Sequence, residues 1–223
     1  MAARQAFTRQ AADLSRVLGD RLIAFVAYGP ASSAAFTKTI TADDLDALGS
    51  LAGGWRHDGL AAPLLVTPGE FRRSLDAFPL EYQAMMDHHV VITGESPFGG
   101  IAVNPDDLRR ACEEHARSHL IHLRQGWIEA GGHEAHTAEL LAHSAAPLRA
   151  LLESVAKLTG AKGETADDLT RFANQTIGMP AELVGAVLSL EHRPADAHRL
   201  VHRLAEYLTA TERLWAFVDE WRR

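Results

Sequence analysis

The sequence predicts an α+β fold, with a small mixed-sheet α/β domain over residues 1–104 followed by an antiparallel helical bundle over residues 105–223. Short apolar runs bounded by Gly and Pro alternate with helical patterns as far as Gly99-Gly100, whereas every segment after Pro105 carries helical periodicity. Between these halves lies Asn104-Pro105-Asp106-Asp107, which reads as a helix start with Asn104 as N-cap and Pro105 at the first helical position.

The elements follow in order. Thr8 to Leu18 reads as a short amphipathic helix, and Arg21 to Tyr28 as a buried strand ended by a turn at Gly29. Phe36 to Ile40, with its Thr alternation, reads as a second strand. Thr41-Ala42-Asp43-Asp44 has the form of an N-cap with acids in the first turn, and Leu45, Leu48 and Leu51 continue a helix to about Trp55. Pro63 to Thr67 is a third strand stopped by Pro68-Gly69. A short helix over Glu70 to Asp76, an ambiguous Leu80 to Met86 and a strand at Val90 to Gly94 complete the first half. The bundle helices are placed at Asp106 to Ala130, His136 to Leu158, Ala166 to Ile177, Pro180 to Glu191 and Ala195 to Trp221, with a kink or break expected near Ala146 because Pro147 follows it.

Composition narrows the function classes. The 223 residues carry a net charge of -7 without a basic block, so neither nucleic acid nor a membrane surface is an expected partner. A single cysteine, Cys112, excludes an intrachain disulfide framework, and its place in an apolar stripe favours a core role over a nucleophilic one. No apolar run approaches the ~20 residues of a membrane span, and the N-terminal stretch lacks the apolar core of a signal peptide. Cytoplasmic residence is the expectation.

The most informative stretch is Tyr28-Gly29-Pro30-Ala31-Ser32-Ser33. A strand, a Gly and then small hydroxyl residues can turn backbone N–H groups and a Ser toward a phosphate. In this layout the chain resembles nucleotidyltransferases of the polymerase-β superfamily, which follow the strand with a Gly-Ser pair and then an Asp-x-Asp metal pair. Gly29 matches the first Gly, but Pro30 stands where the Ser is expected, and Ala34 to Ile40 contains no acid. Because nucleotidyl transfer needs carboxylates to hold divalent ions, the resemblance implies the fold with a degenerate active site. Asp43 and Asp44 come next and read as capping acids, the alternative being a relocated metal site. The two-part plan is similar to kanamycin-type nucleotidyltransferases, and Phe78 to Met86 followed by Val90 to Gly94 is similar to the element that carries the family's third acid. Glu81 falls about where that acid would be, or is an ordinary exposed residue.

Histidine is abundant, with 12 in the chain. His115, His119 and His122 lie at i, i+4 and i+7 on one side of a helix, a spacing that two metal ligands can share. They flank a core stripe of Leu108, Cys112, Ala116, Leu120, Leu123 and Trp127, so they read either as a metal set or as boundary residues. His198 and His202 are expected to face solvent. His88-His89 is placed at the domain seam, and His133 and His136 flank a helix start. The stretch from Arg110 to His115 is similar to the Arg and His pair of HEPN-class ribonucleases, although Ala111 replaces the polar residue usual after the Arg. An ion pair with neighbouring acids is the simpler reading.

The expectation is therefore a nucleotidyltransferase-like protein, catalytically silent for want of the acids, with Gly29, Ser32, Ser33 and Glu81 as ligand-binding candidates at the seam between domains. The partners left open are a small molecule or nucleotide, a protein, or a second copy in a homodimer; no cofactor is named. The alternatives are an active transferase with displaced acids and a HEPN-type ribonuclease.

Overall fold

The computed structural model describes residues 2–221, and the chain divides between Asn104 and Pro105 into two units. In the first, α1 (Ala2–Leu18) passes through a 3-10 turn at Gly19–Arg21 into β1 (Leu22–Ala27) and β2 (Ser33–Thr37). There follow α2 (Ala42–Gly49), α3 (Ala52–His57), β3 (Leu64–Val66), α4 (Pro68–Arg73), α5 (Pro79–His88) and β4 (Val90–Gly94). The strands make one mixed sheet in the order β3-β2-β1-β4, antiparallel except for the parallel pair of β2 and β3.

Both faces of this sheet are covered, which is why β1 reads as a continuous apolar run rather than an alternating one. Phe25, Ala27 and Ala35 pack with Phe7, Leu14 and Leu48 on one face. On the other, Ala24, Val26 and Phe36 meet Phe71, Tyr82 and Phe98, whose rings pack edge-on or tilted within 4.5–5.5 Å. Such aromatic geometry adds roughly 0.5–1.5 kcal/mol per pair beyond area burial.

Several expected boundaries move. The second strand is Ser33–Thr37 rather than Phe36 to Ile40, because the turn after β1 closes early and puts Ala27 opposite Ser33. The Thr41 to Trp55 helix is two helices, broken after Gly49, where the hydroxyl of Ser50 folds back on the Ala47 carbonyl at 2.6 Å. Leu80 to Met86 lies within α5, which buries Tyr82 and Met85.

The second unit is helical: α6 (Pro105–Ala130), α7 (Glu134–Thr159), α8 (Ala166–Phe172), α9 (Ala181–Ser189) and α10 (Leu204–Glu220). A π-helical turn, Ala173–Ile177, extends α8 to Gly178, and the expected helix from Ala195 begins as a 3-10 segment, Pro194–Arg203. Helix α7 continues through Pro147 without the expected break. Leu141, Ala145, Leu148 and Leu152 are buried on both sides of the proline, so packing holds the helix through it. The core stripe of α6 is Leu108, Cys112, Ala116, Leu120, Leu123 and Ala130, while Trp127 is 37% exposed. Gly126 bears on the difference: a Cβ there would lie 2.4 Å from Leu140 Cδ1, so Leu140 of α7 packs directly on Gly126, and Trp127, one residue on, faces away from that contact. Among the described residues, no helix is long and apolar enough to cross a membrane.

Candidate functional site

The Gly29 region forms a hairpin turn. Tyr28 donates its N–H to the Ser32 carbonyl at 3.0 Å, and the Ala31 carbonyl accepts from Ala61 N–H at 3.0 Å. Gly29 and Pro30 are exposed, and Ser32 is half-buried. Gly29 has no left-handed φ, and an added Cβ would meet only the Ser32 side chain, at an ordinary 3.7 Å from Cβ and 3.8 Å from Oγ, so the protein's own packing does not demand glycine there. Ser33 departs from the expectation of an open ligand-binding hydroxyl. It is buried at the start of β2 and donates to Gln10 Oε1 at 3.0 Å, while Gln10 Nε2 donates to the Ala61 carbonyl at 3.0 Å. Buried polar groups need such partners, and this pair satisfies itself inside the core. Ser32→Trp is expected to change stability by no more than ~0.5 kcal/mol, the scale of a surface substitution. Chemical denaturation of that variant checks it, and a larger loss would place Ser32 in packing.

The carboxylates near this turn have structural duties. β2 presents Ser, Ala, Ala, Phe and Thr, all buried, and no acid. Asp44 closes a capping box at the start of α2, accepting from Thr41 N–H at 2.9 Å while its own N–H donates to Thr41 Oγ1 at 3.2 Å. Both its oxygens also accept from Arg21, whose Nη1 and Nη2 each lie 2.6 Å away. The Arg21 guanidinium first, then Thr41, hold the Asp44 carboxyl well below the usual carboxylate range. Asp43 is exposed in the same turn. Glu81 is exposed on α5 and, among the described residues, makes no hydrogen bond or ion pair.

The helical unit holds a cleft of about 630 Å³ between α6 and α7. His115, His119 and His122 all line it from α6, and His143 and Pro147 face them from α7. Among its polar groups, His119 has its Nε2 2.9 Å from the hydroxyl of Tyr207 on α10. Ser144, on the α7 wall, donates its own proton to the Leu141 carbonyl at 2.8 Å. Burial, and secondarily the neighbouring His122, pushes the His119 imidazole down to about 4. Burial raises the Tyr207 phenol. His119 is thus a neutral ring at physiological pH.

These positions separate the histidine set. His119 is engaged with Tyr207, and His122 Nδ1 lies 3.2 Å from Ser118 Oγ. Among the described residues, no three His, Cys, Asp or Glu side chains gather where they could hold a metal ion, so His115, His119 and His122 do not form the metal set that their spacing suggested. Spacing along a helix puts ligands on one side but does not turn their nitrogens to one point. Arg110 pairs with Asp107, and the five residues to His115 put the two side chains ~140° apart around α6. Cys112 is fully buried, and burial pushes its thiol up to about 12, which removes it as a nucleophile at neutral pH. His198 and His202 are exposed.

Sequence reasoning missed the opposite wall of the cleft. His143 and Ser144 on that wall, and Tyr207 behind His119, are separated from α6 in sequence, and only Pro147, a proline inside a helix, signalled that this stretch of α7 is unusual. Comparison of the chain with protein-family models, curated proteins and solved structures finds no match.

Proposed function

We propose that this protein is a nucleotidyltransferase-like binding protein that does not transfer nucleotides. The observation that carries the reading is Asp44: the nearest acid after the Gly29 turn to be tied into the fold has both carboxylate oxygens taken by Arg21 and Thr41. Three hydrogen bonds and the charge of Arg21 already engage this carboxylate, so a divalent ion would have to displace the ion pair to use it, and β2 offers no replacement. The strand, Gly29 turn and following helical unit support the likeness to the superfamily. The cleft between α6 and α7 supports a retained binding role, because enclosed space with a few convergent polar groups is the form small-molecule sites take.

The test is an incubation of the whole chain with labelled ATP, magnesium and a panel of aminoglycoside and other hydroxyl acceptors. The expected result is that the label stays on the nucleotide. Transfer that Asp43→Ala abolishes would overturn the reading and make Asp43 a displaced metal ligand.

A further inference from the structure

We infer that β4 is a docking edge, at which a second copy of this chain adds its own β4, antiparallel, to make one sheet continuous across two molecules. The order β3-β2-β1-β4 leaves two edges, and they are finished differently. β3 is three residues long and stands between Pro63 and Pro68, so it gives an incoming strand little to pair with. β4 is five residues long, Val-Val-Ile-Thr-Gly, with neither a charge nor a proline, and its first four residues are the β-branched types that suit a strand.

The outer side of β4 is open. Among the described residues β4 has β1 as its one neighbouring strand, and no turn or side chain hydrogen-bonds the backbone of residues 90–94. Val90 is 57% exposed and Val91 36%, and Ile23 of β1, whose carbonyl lies beside Gly94, is 39% exposed. Strand addition covers apolar side chains of this kind while it pairs the backbone groups between them. One blunting device is present, a bulge: Ile92 has no partner on β1, between Val91 opposite Val26 and Thr93 opposite Phe25. Ile92 is half-buried against the core on the α1 side, so the bulge turns this residue inward and leaves Val90, Val91 and Thr93 at the surface.

Two features select a second copy, and an antiparallel one. A strand without charge meets itself without repulsion, and a two-fold axis near Ile92 sets Val91 of each copy opposite Thr93 of the other, a β-branched pair on both sides of the axis. The flanks are complementary in the same sense. Exposed His88 precedes the strand and exposed Glu95 follows it, so antiparallel pairing brings an imidazole of each copy toward the other's carboxylate, whereas parallel pairing would set Glu95 against Glu95. Asp87, the acid nearest to His88, already accepts from Gln83 within α5.

Two strands of this length make an interface below the ~1,200 Å² of standard complexes, so the dimer forms only at high concentration. Sedimentation velocity of the whole chain should show monomer at ~5 µM and a growing share of dimer toward ~500 µM, the range of a small interface. Hydrogen exchange over the same concentrations should slow at residues 90–94 and stay unchanged at Leu64–Val66 on the other edge. Val90→Lys and Val91→Lys, both at exposed positions, should each keep the circular dichroism spectrum of the monomer and weaken dimerisation at least tenfold, because like charges then meet across the axis. A dimer that both lysine variants leave intact, or exchange that slows elsewhere and not at residues 90–94, would overturn the proposal. A chain still monomeric at ~500 µM would overturn it as well and leave the edge to a strand from a different protein.

Discussion

Gly94→Ala is expected to destabilise the first unit by about 3 kcal/mol or more, one of the largest effects of any single methyl group in this chain. Gly94 ends β4 opposite Ala24 with φ at +82°, a region that costs a non-glycine residue energy before any contact is counted. The added Cβ would then lie 2.2 Å from the Ile23 carbonyl oxygen and 3.0 Å from Ala24 Cα. Both are backbone atoms of the central strand, which cannot step aside as a flexible side chain can. Guanidinium unfolding, followed by hydrogen exchange at residues 22–27, measures the loss. Gly53→Ala is the matched control. Gly53 lies inside α3 with nothing within 4 Å of the added Cβ, and the substitution should stabilise by ~0.5–1 kcal/mol. A cost below ~1 kcal/mol at Gly94 would mean that β4 does not pair with β1 in this register.

The second large effect is a fall in stability as the pH drops from about 6.5 to 4. His119 has an ordinary value of 6.5 and is held at about 4 in the folded chain, chiefly by burial and secondarily by His122. Between these values the unfolded chain takes up a proton that the folded chain refuses, so the unfolded state binds more protons and stability falls with pH. The contribution is complete above the unfolded value and is lost progressively below it. From 6.5 to about 4 the gap is about 2.5 pH units, and the loss at pH 4 approaches ~3 kcal/mol. Urea unfolding at a series of pH values should show this slope, and His119→Phe should flatten it between pH 6.5 and 4 while forfeiting the bond to Tyr207. A slope unchanged in that variant would show that His119 titrates in the folded state much as it does in solution.

The legible part of the fold is the part written in local chemistry. Thr41 caps α2 where the sequence places a cap, with Asp44 completing the box. Thr67 and Glu70 form the same box at α4, which therefore starts at Pro68, two residues before the expected Glu70. Strand β1 follows from its apolar run, and α6 from Pro105. What escaped was set by partners far away in sequence. The bounds of β2 depend on its register with β1, and Trp127 faces away from the contact that Leu140 makes with Gly126. The same division governs the site. The side of α6 that carries His115, His119 and His122 could be read from a helical wheel, but no spacing announces that Tyr207, 88 residues beyond His119, would meet its ring. Asp44 was legible as a cap; its ion pair with Arg21, 23 residues earlier, was not.

The order of the strands has a consequence for the chain during synthesis. β1 is central, with β2 on one side and β4 on the other, yet β2 follows after a turn of five residues whereas β4 begins only at Val90. On a ribosome the hairpin of β1 and β2 is therefore made first, and the hydrogen-bonding edge of β1 that later receives β4 stays open while the intervening residues emerge. An open edge of this kind, flanked by Phe25 and Val26, is a template for another nascent chain. The apolar face is another matter: α1 precedes the sheet in synthesis and packs Phe7, Ala11 and Leu14 against the face that carries Phe25. Vectorial synthesis thus lets α1 cover that apolar face before β4 exists, while the edge itself is closed only when β4 pairs with it.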